Sequence, residues 1–132
     1  MRHRKASLLL VGLLVMSTLL SACAKTTLDK AIQAADIQKQ LVQTCTVQEI
    51  VMCDKGQIKP EVCAQVKILY GKWAVGQQAV ADTLVAWKVV ASPENENKLL
   101  AALTFVKPLA DDYLAFIGKF VDVSAVATGL GK

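Results

Sequence analysis

The chain has 132 residues, 54% of them hydrophobic and 20% charged, with a formal net charge of +4. Residues 1–22 hold Arg2, Arg4 and Lys5 and no acid, so 23–132 is nearly neutral, with 12 lysines against 11 acids. Both arginines and the only histidine, His3, fall in the first five residues, so the rest lacks histidine-based triads, arginine clamps and a nucleic-acid charge footprint.

The first predicted element is a helical segment after the basic start. Residues 6–24 carry no charge over 19 positions. That length is near the lower limit for a spanning helix, so hydropathy alone leaves anchor and export signal open. The residues at its end are Leu20-Ser21-Ala22-Cys23: an apolar branched residue, two small ones, then cysteine. With the basic start and the apolar run, this order resembles the lipobox and signal peptide of bacterial lipoproteins. The resemblance implies a signal peptide over 1–22, cleavage before Cys23, lipid on the Cys23 sulfur and acylation of the new amino group with palmitate-class chains. That covalent lipid is the one cofactor-like group expected. Each buried methylene contributes about 0.8 kcal/mol, and one chain holds only marginally, so two or three chains make a firm anchor. Residue 24 is Ala rather than Asp. In a host with two membranes, the resemblance then implies sorting to the outer membrane, facing the periplasm. Beyond Lys25 the longest uncharged runs are 40–48, 73–81 and 123–131, nine residues each. None reaches the roughly 20 apolar residues of a span.

Past a lipidated tether, 23–27, one bundle domain is expected over 28–127, with a flexible tail over 128–132. The first helix, about 27–54, starts at Thr26 or Thr27 as N-cap with Asp29 in its first turn. Leu28, Ala31, Ile32, Ala35, Val42, Cys45, Met52 and Cys53 share one broad face at 100° per residue. Thr44-Cys45-Thr46-Val47 is rich in β-branching and weakens its middle. Gly56 caps its end.

The second helix, 60–91, starts at Pro60, which suits a first helical position. Cys63, Val66, Tyr70, Trp73, Gln77, Val80, Leu84, Trp87 and Ala91 form a seam of alternating three- and four-residue steps. Val62, Ile68, Leu69, Val75, Val85, Val89 and Val90 make the other faces apolar too, the pattern of a central helix. Gly71 and Gly76 each cost about 1 kcal/mol relative to Ala. Close approach of a neighbour or a local bend accounts for them.

Ser92-Pro93-Glu94 restarts the chain as a third helix, 93–126, with Glu94 and Lys98 as an i,i+4 pair. Its seam is Leu99, Leu103, Val106, Ala110, Tyr113, Ile117 and Phe120. Pro108 lies inside it and is expected to kink or break the helix near Val106. Three helices with short links point to an all-α, antiparallel up-down-up bundle.

Besides Cys23, the cysteines are Cys45, Cys53 and Cys63. Residues equidistant from a helical hairpin's turn meet, and 58 is the midpoint of 53 and 63. Cys53–Cys63 is therefore the preferred disulfide, with Cys45–Cys63 second. Cys45 is then either a small buried residue or an intermolecular link. No metal site is expected, because the cysteine spacings are wide and no histidine completes a set. Asp111-Asp112 reads as a solvated face, since adjacent helical residues diverge. Asp82 and Lys88 mark an exposed edge. Ser124 has no spacing that makes it a Ser-Lys nucleophile. Tyr70, Trp73 and Trp87 line either a ligand groove or the bundle core, the core being the commoner use of aromatics at this spacing.

These features imply a non-enzymatic, lipid-anchored protein of the cell envelope that works by protein–protein contact or self-association. A carrier of an apolar small molecule, such as a lipid or quinone, between the helices is the alternative. A short phage-encoded lipoprotein that blocks a receptor is another, resting on size and lipobox alone. No nucleic-acid or metal partner is expected.

Overall fold

The computed structural model describes the backbone of residues 2–130 and the side chains of residues 27–130. The protein is all-α. Helix α1 is Arg2–Asp54, α2 is Pro60–Val89, α3 is Pro93–Ile117 and α4 is Val123–Leu130. No strand occurs among the described residues, and the three long helices fit a bundle. The chain divides into two compact units, Met1–Gln33 and Ala34–Lys132, and the second holds the helix packing and the cysteine junction. The side chains of 1–22 and of Cys23 lie outside the described residues. Among the described residues, no helix is long and apolar enough to cross a membrane.

Helix α1 continues through Thr26 and Thr27, where the sequence pattern places a tether and an N-cap. Residues 6–24 are rich in leucine and alanine, good helix formers, and no proline separates them from the amphipathic stretch. The β-branched run does not interrupt α1 either. Thr44 and Thr46 donate their hydroxyls back to the carbonyls of Gln40 and Val42, at 2.9 and 2.7 Å. The helix stops in a Schellman motif. The Gly56 N–H donates to Cys53 O at 3.1 Å and the Gln57 N–H to Met52 O at 2.9 Å, with Gly56 at φ 70°. Only glycine enters that conformation without strain, so Gly56 fixes where α1 ends.

Pro60 opens α2 as expected. Val66, Trp73, Gly76 and Val80 form its buried side. The outer side is exposed, contrary to the reading of α2 as enclosed all round: Val75 is 72% and Val89 77% exposed, with Ile68 and Val85 also open. Apolar residue types on a helix face do not by themselves bring a neighbour to cover it. Asn95, in the first turn of α3, donates its side-chain amide to Val90 O and Ala86 O at 2.9 and 3.3 Å. It thereby adds a second donor to carbonyls that already accept from the Val90 and Ser92 N–H groups at the end of α2.

Ser92 caps α3, its hydroxyl oxygen accepting from the Asn95 N–H at 3.2 Å. Glu94 and Lys98 pair at 3.0 Å on the exposed surface. Leu99, Leu103, Val106, Ala110, Tyr113 and Ile117 are all buried, which is the expected seam up to its last member. Pro108 does not break α3, which runs through it. The third helix ends at Ile117 rather than 126. Asp122 starts a new helix by accepting from the Ala125 N–H at 3.1 Å. The turn buries Val121 and Val126 and leaves Phe120 half-buried outside the seam. Helix α4 extends through Leu130, across much of the stretch read as a tail.

The two α2 glycines separate cleanly. A Cβ on Gly76 would stand 3.0 Å from Leu109 Cδ1 and 3.2 Å from Val106 Cγ2, so α3 packs directly on it. A Cβ on Gly71 would meet nothing within 4 Å. Gly71→Ala is expected to stabilise by about 1 kcal/mol, the helix-propensity difference. At Gly76 the stiff Val106 must shift, which cancels or reverses that gain. Thermal melts of the two variants check this; equal gains would contradict the packing.

Candidate functional site

The site is built at the junction of α1 and α2. The Schellman stop and Pro60 set the reach of the link between them, and this brings Cys53 against Cys63. Their sulfurs are 2.09 Å apart and their Cα atoms 6.3 Å apart, within the range of a disulfide. Cys45 is a free, fully buried cysteine, and burial pushes its thiol up from the ordinary value. That places it as a small core residue with no exposed sulfur for intermolecular pairing.

Glu49 lies one turn before Cys53, so its carboxyl falls over the same face. Only 4% of it is exposed. Its Oε1 stands 2.9 Å from Cys53 Sγ. A bridged sulfur carries no hydrogen and cannot donate to a carboxylate. Burial, first, and the nearby Asp54 charge push the Glu49 carboxyl up, while Lys67 pulls it partly back. A raised carboxyl contributes stability that is complete at acid pH and lost as pH rises through its folded-state value. Glu49→Gln is therefore expected to gain on wild type as pH rises. Melting temperatures of both proteins at pH 3 and pH 7 check this; the same offset at both pH values would contradict it.

Two clefts open on the bridge. One, of about 420 Å³, is lined by Glu49, Cys53, Cys63, Val66, Lys67 and Tyr70. The other, of about 560 Å³, shares Cys53, Asp54, Cys63 and Lys67. Glu49 Oε and the two sulfurs also lie within 4.8 Å of one another, a donor set of the kind that holds metals. With the sulfurs bridged, it offers one carboxylate and no thiolate.

The aromatic residues do not assemble as one groove. Tyr70 lines the first cleft, packing on Trp73 with ring centroids 5.4 Å apart and edge-on to Tyr113 at 6.0 Å. Trp73 is buried in the core and Trp87 half-buried, about 21 Å further along α2. Asp111 is held by Lys107 at 2.9 Å and by the Gln38 amide at 2.7 Å, and Asp112 is exposed. Asp82 accepts from the Gln78 amide at 2.9 Å on the surface, and Ser124 is exposed.

Sequence reasoning missed Glu49 and the polar end of Tyr113. The signal for Glu49 was present: an acid four residues after Cys45 and four before Cys53, on an otherwise apolar face. For Tyr113 the signal was a hydroxyl on a buried seam, which needs a partner. Compared with known proteins, the chain matches no family model, no curated protein and no solved structure.

Proposed function

We propose that this chain is a lipid-anchored protein of the bacterial cell envelope that acts by protein–protein contact and not by catalysis. On this reading, Cys23 carries the lipid, and the following domain is an antiparallel up-down-up bundle presenting a helix face to its partner. In a host with two membranes, that domain faces the periplasm from the outer membrane.

The lipobox supports the anchor. The up-down-up sense draws support from residue pairs. Tyr70 pairs with Tyr113, Gly76 with Val106, and Ala86 with Asn95, so α2 numbers rise as α3 numbers fall. Cys53 and Cys63 give the corresponding pair for α1 and α2.

The observation that carries the contact role is the outer face of α2. Ile68, Val75, Val85 and Val89 fall within one 100° sector, opposite Val66, Trp73 and Val80. Exposed valines and isoleucine aligned over several helical turns are costly to leave in water and mark a surface that meets another protein. A carrier function has less support, because Trp73 is packed in the core rather than open to a ligand.

Metabolic labelling with a palmitate analogue tests the anchor: label is expected on wild type and absent from Cys23→Ala. Crosslinking in detergent-solubilised membranes tests the face. Val75→Lys with Val89→Lys is expected to keep the wild-type melting temperature and lose the crosslinked species. Retention of that species would sink the role given to this face.

A further inference from the structure

The geometry points to the Cys53–Cys63 bridge as a thiol–disulfide exchange site. Cys53 is the leaving sulfur, Cys63 the sulfur attacked, and Glu49 the proton carrier. The substrate class is a dithiol, either a small molecule or a pair of cysteines on a partner protein. The inference does not rest on the envelope reading and would survive its failure.

Three observations carry it. The bridge is open to attack, since both its residues line two separate clefts. A carboxyl that is nearly sealed from water stands 2.9 Å from one of the two sulfurs. That sulfur has no hydrogen while bridged, so it can only accept from the neutral Glu49 carboxyl until the bridge opens and it becomes a donor. Finally, Lys67 borders both clefts and places positive charge where an anionic thiolate enters. The groups around Glu49 are Cys53 and Asp54 on α1, Lys67, Cys63 and Tyr70 on α2, and Tyr113 on α3. Lys67 is the only basic residue in that set.

The step balances as follows. A thiolate of the dithiol attacks Cys63 Sγ, the Cys53–Cys63 bond breaks, and a mixed disulfide forms on Cys63. Cys53 leaves with the bonding electron pair and takes the proton of the neutral Glu49 carboxyl. The second thiolate of the dithiol then displaces Cys63, which is protonated from water. The dithiol is oxidised to a disulfide and the bridge is reduced by two electrons. In the product, the Cys53 S–H donates to the Glu49 carboxylate, so the buried acid gains a donor that the bridged form cannot offer. The 2.9 Å contact thus serves both states: acid beside a leaving thiolate, then acceptor beside a thiol.

The test uses the full oxidised chain in detergent with dithiothreitol as the dithiol. Samples are quenched in acid at intervals, alkylated and weighed, from pH 5 to pH 9. Rates are divided by the thiolate fraction of dithiothreitol. Wild type is expected to show a corrected rate that declines as pH rises and Glu49 loses its proton. Glu49→Gln should be slower by about a hundredfold at the acid end, the low side of general-acid effects, and flat with pH. Glu49→Asp, which keeps the acid, should retain the slope, and Asp112→Asn, exposed on α3 away from the clefts, should match wild type. The readout is alkylation at Cys53 and Cys63 themselves, located by peptide mass. Equal corrected rates and equal profiles in wild type and Glu49→Gln would overturn the assignment. So would faster reduction of both Glu49 variants, the mark of a site that has merely loosened.

Discussion

Tyr113→Ala is expected to lower unfolding free energy by about 3–5 kcal/mol, the range for deleting a buried aromatic ring. Tyr113 is 1% exposed and touches both other long helices. Its ring meets Tyr70 of α2 edge-on, and its hydroxyl bonds Thr46 of α1. Thr46 already gives its only hydroxyl hydrogen to the Val42 carbonyl. It must therefore accept from Tyr113, which makes Tyr113 the donor. Removing the ring opens a cavity and breaks both contacts. Tyr113→Phe keeps the volume and loses only the hydrogen bond, at about 1 kcal/mol. Urea unfolding followed by circular dichroism separates the two. A Tyr113→Ala loss near that of Tyr113→Phe would mean that the ring is not a packing centre. The alkaline limb gives a second check. Burial pushes the Tyr113 phenol up to about 12. An unfolded tyrosine ionises near 10, so the folded state holds its proton more tightly between the two values. Stability is then complete below about pH 10 and falls by roughly 2–3 kcal/mol as pH rises towards 12. Tyr113→Phe should remove that loss.

The third helix shows how much of such a core is legible in sequence. Six seam residues from Leu99 to Ile117 follow helical spacing, and each is buried. The pattern failed at Phe120 because it is blind to capping. Lys119, Phe120 and Val121 continue an acceptable helical composition, but Asp122 offers a side-chain oxygen to the Ala125 N–H and restarts the chain. Helix α2 failed for another reason. Its two sides are both apolar, and apolarity alone does not record which one a neighbour covers. Gly76 was the local clue: a glycine tightly approached by Val106 and Leu109 identifies the buried side.

The candidate site was half legible. Hairpin symmetry about residue 58 pairs Cys53 with Cys63 because Gly56 and Pro60 keep the link short. Glu49 was overlooked because an acid on a helix reads as solvated unless tertiary contacts remove the water. Here the fold leaves Glu49 only 4% exposed, with its Oε1 2.9 Å from Cys53 Sγ.

Opening the bridge is expected to cost roughly 2–3 kcal/mol, the loop-closure entropy of a link this short. The comparison is best made with Cys23→Ala and Cys45→Ala in the background, so that no other cysteine pairs with the one left behind. Both Cys53→Ala and Cys63→Ala abolish the crosslink and release the same chain entropy. They differ at Glu49. In Cys63→Ala the remaining Cys53 thiol has a hydrogen and sits 2.9 Å from the carboxyl, so the buried acid acquires a donor. In Cys53→Ala that atom is gone, and the acid is left with neither sulfur nor hydrogen beside it. A buried polar group without a partner costs about 1–3 kcal/mol. Cys53→Ala should therefore be the more destabilised of the two. The gap should widen from pH 3 to pH 7, because ionisation makes the missing donor more costly. Denaturant titrations of both variants at the two pH values decide it. Equal losses at both would show that the bridge acts through chain entropy alone and that Glu49 does not engage Cys53.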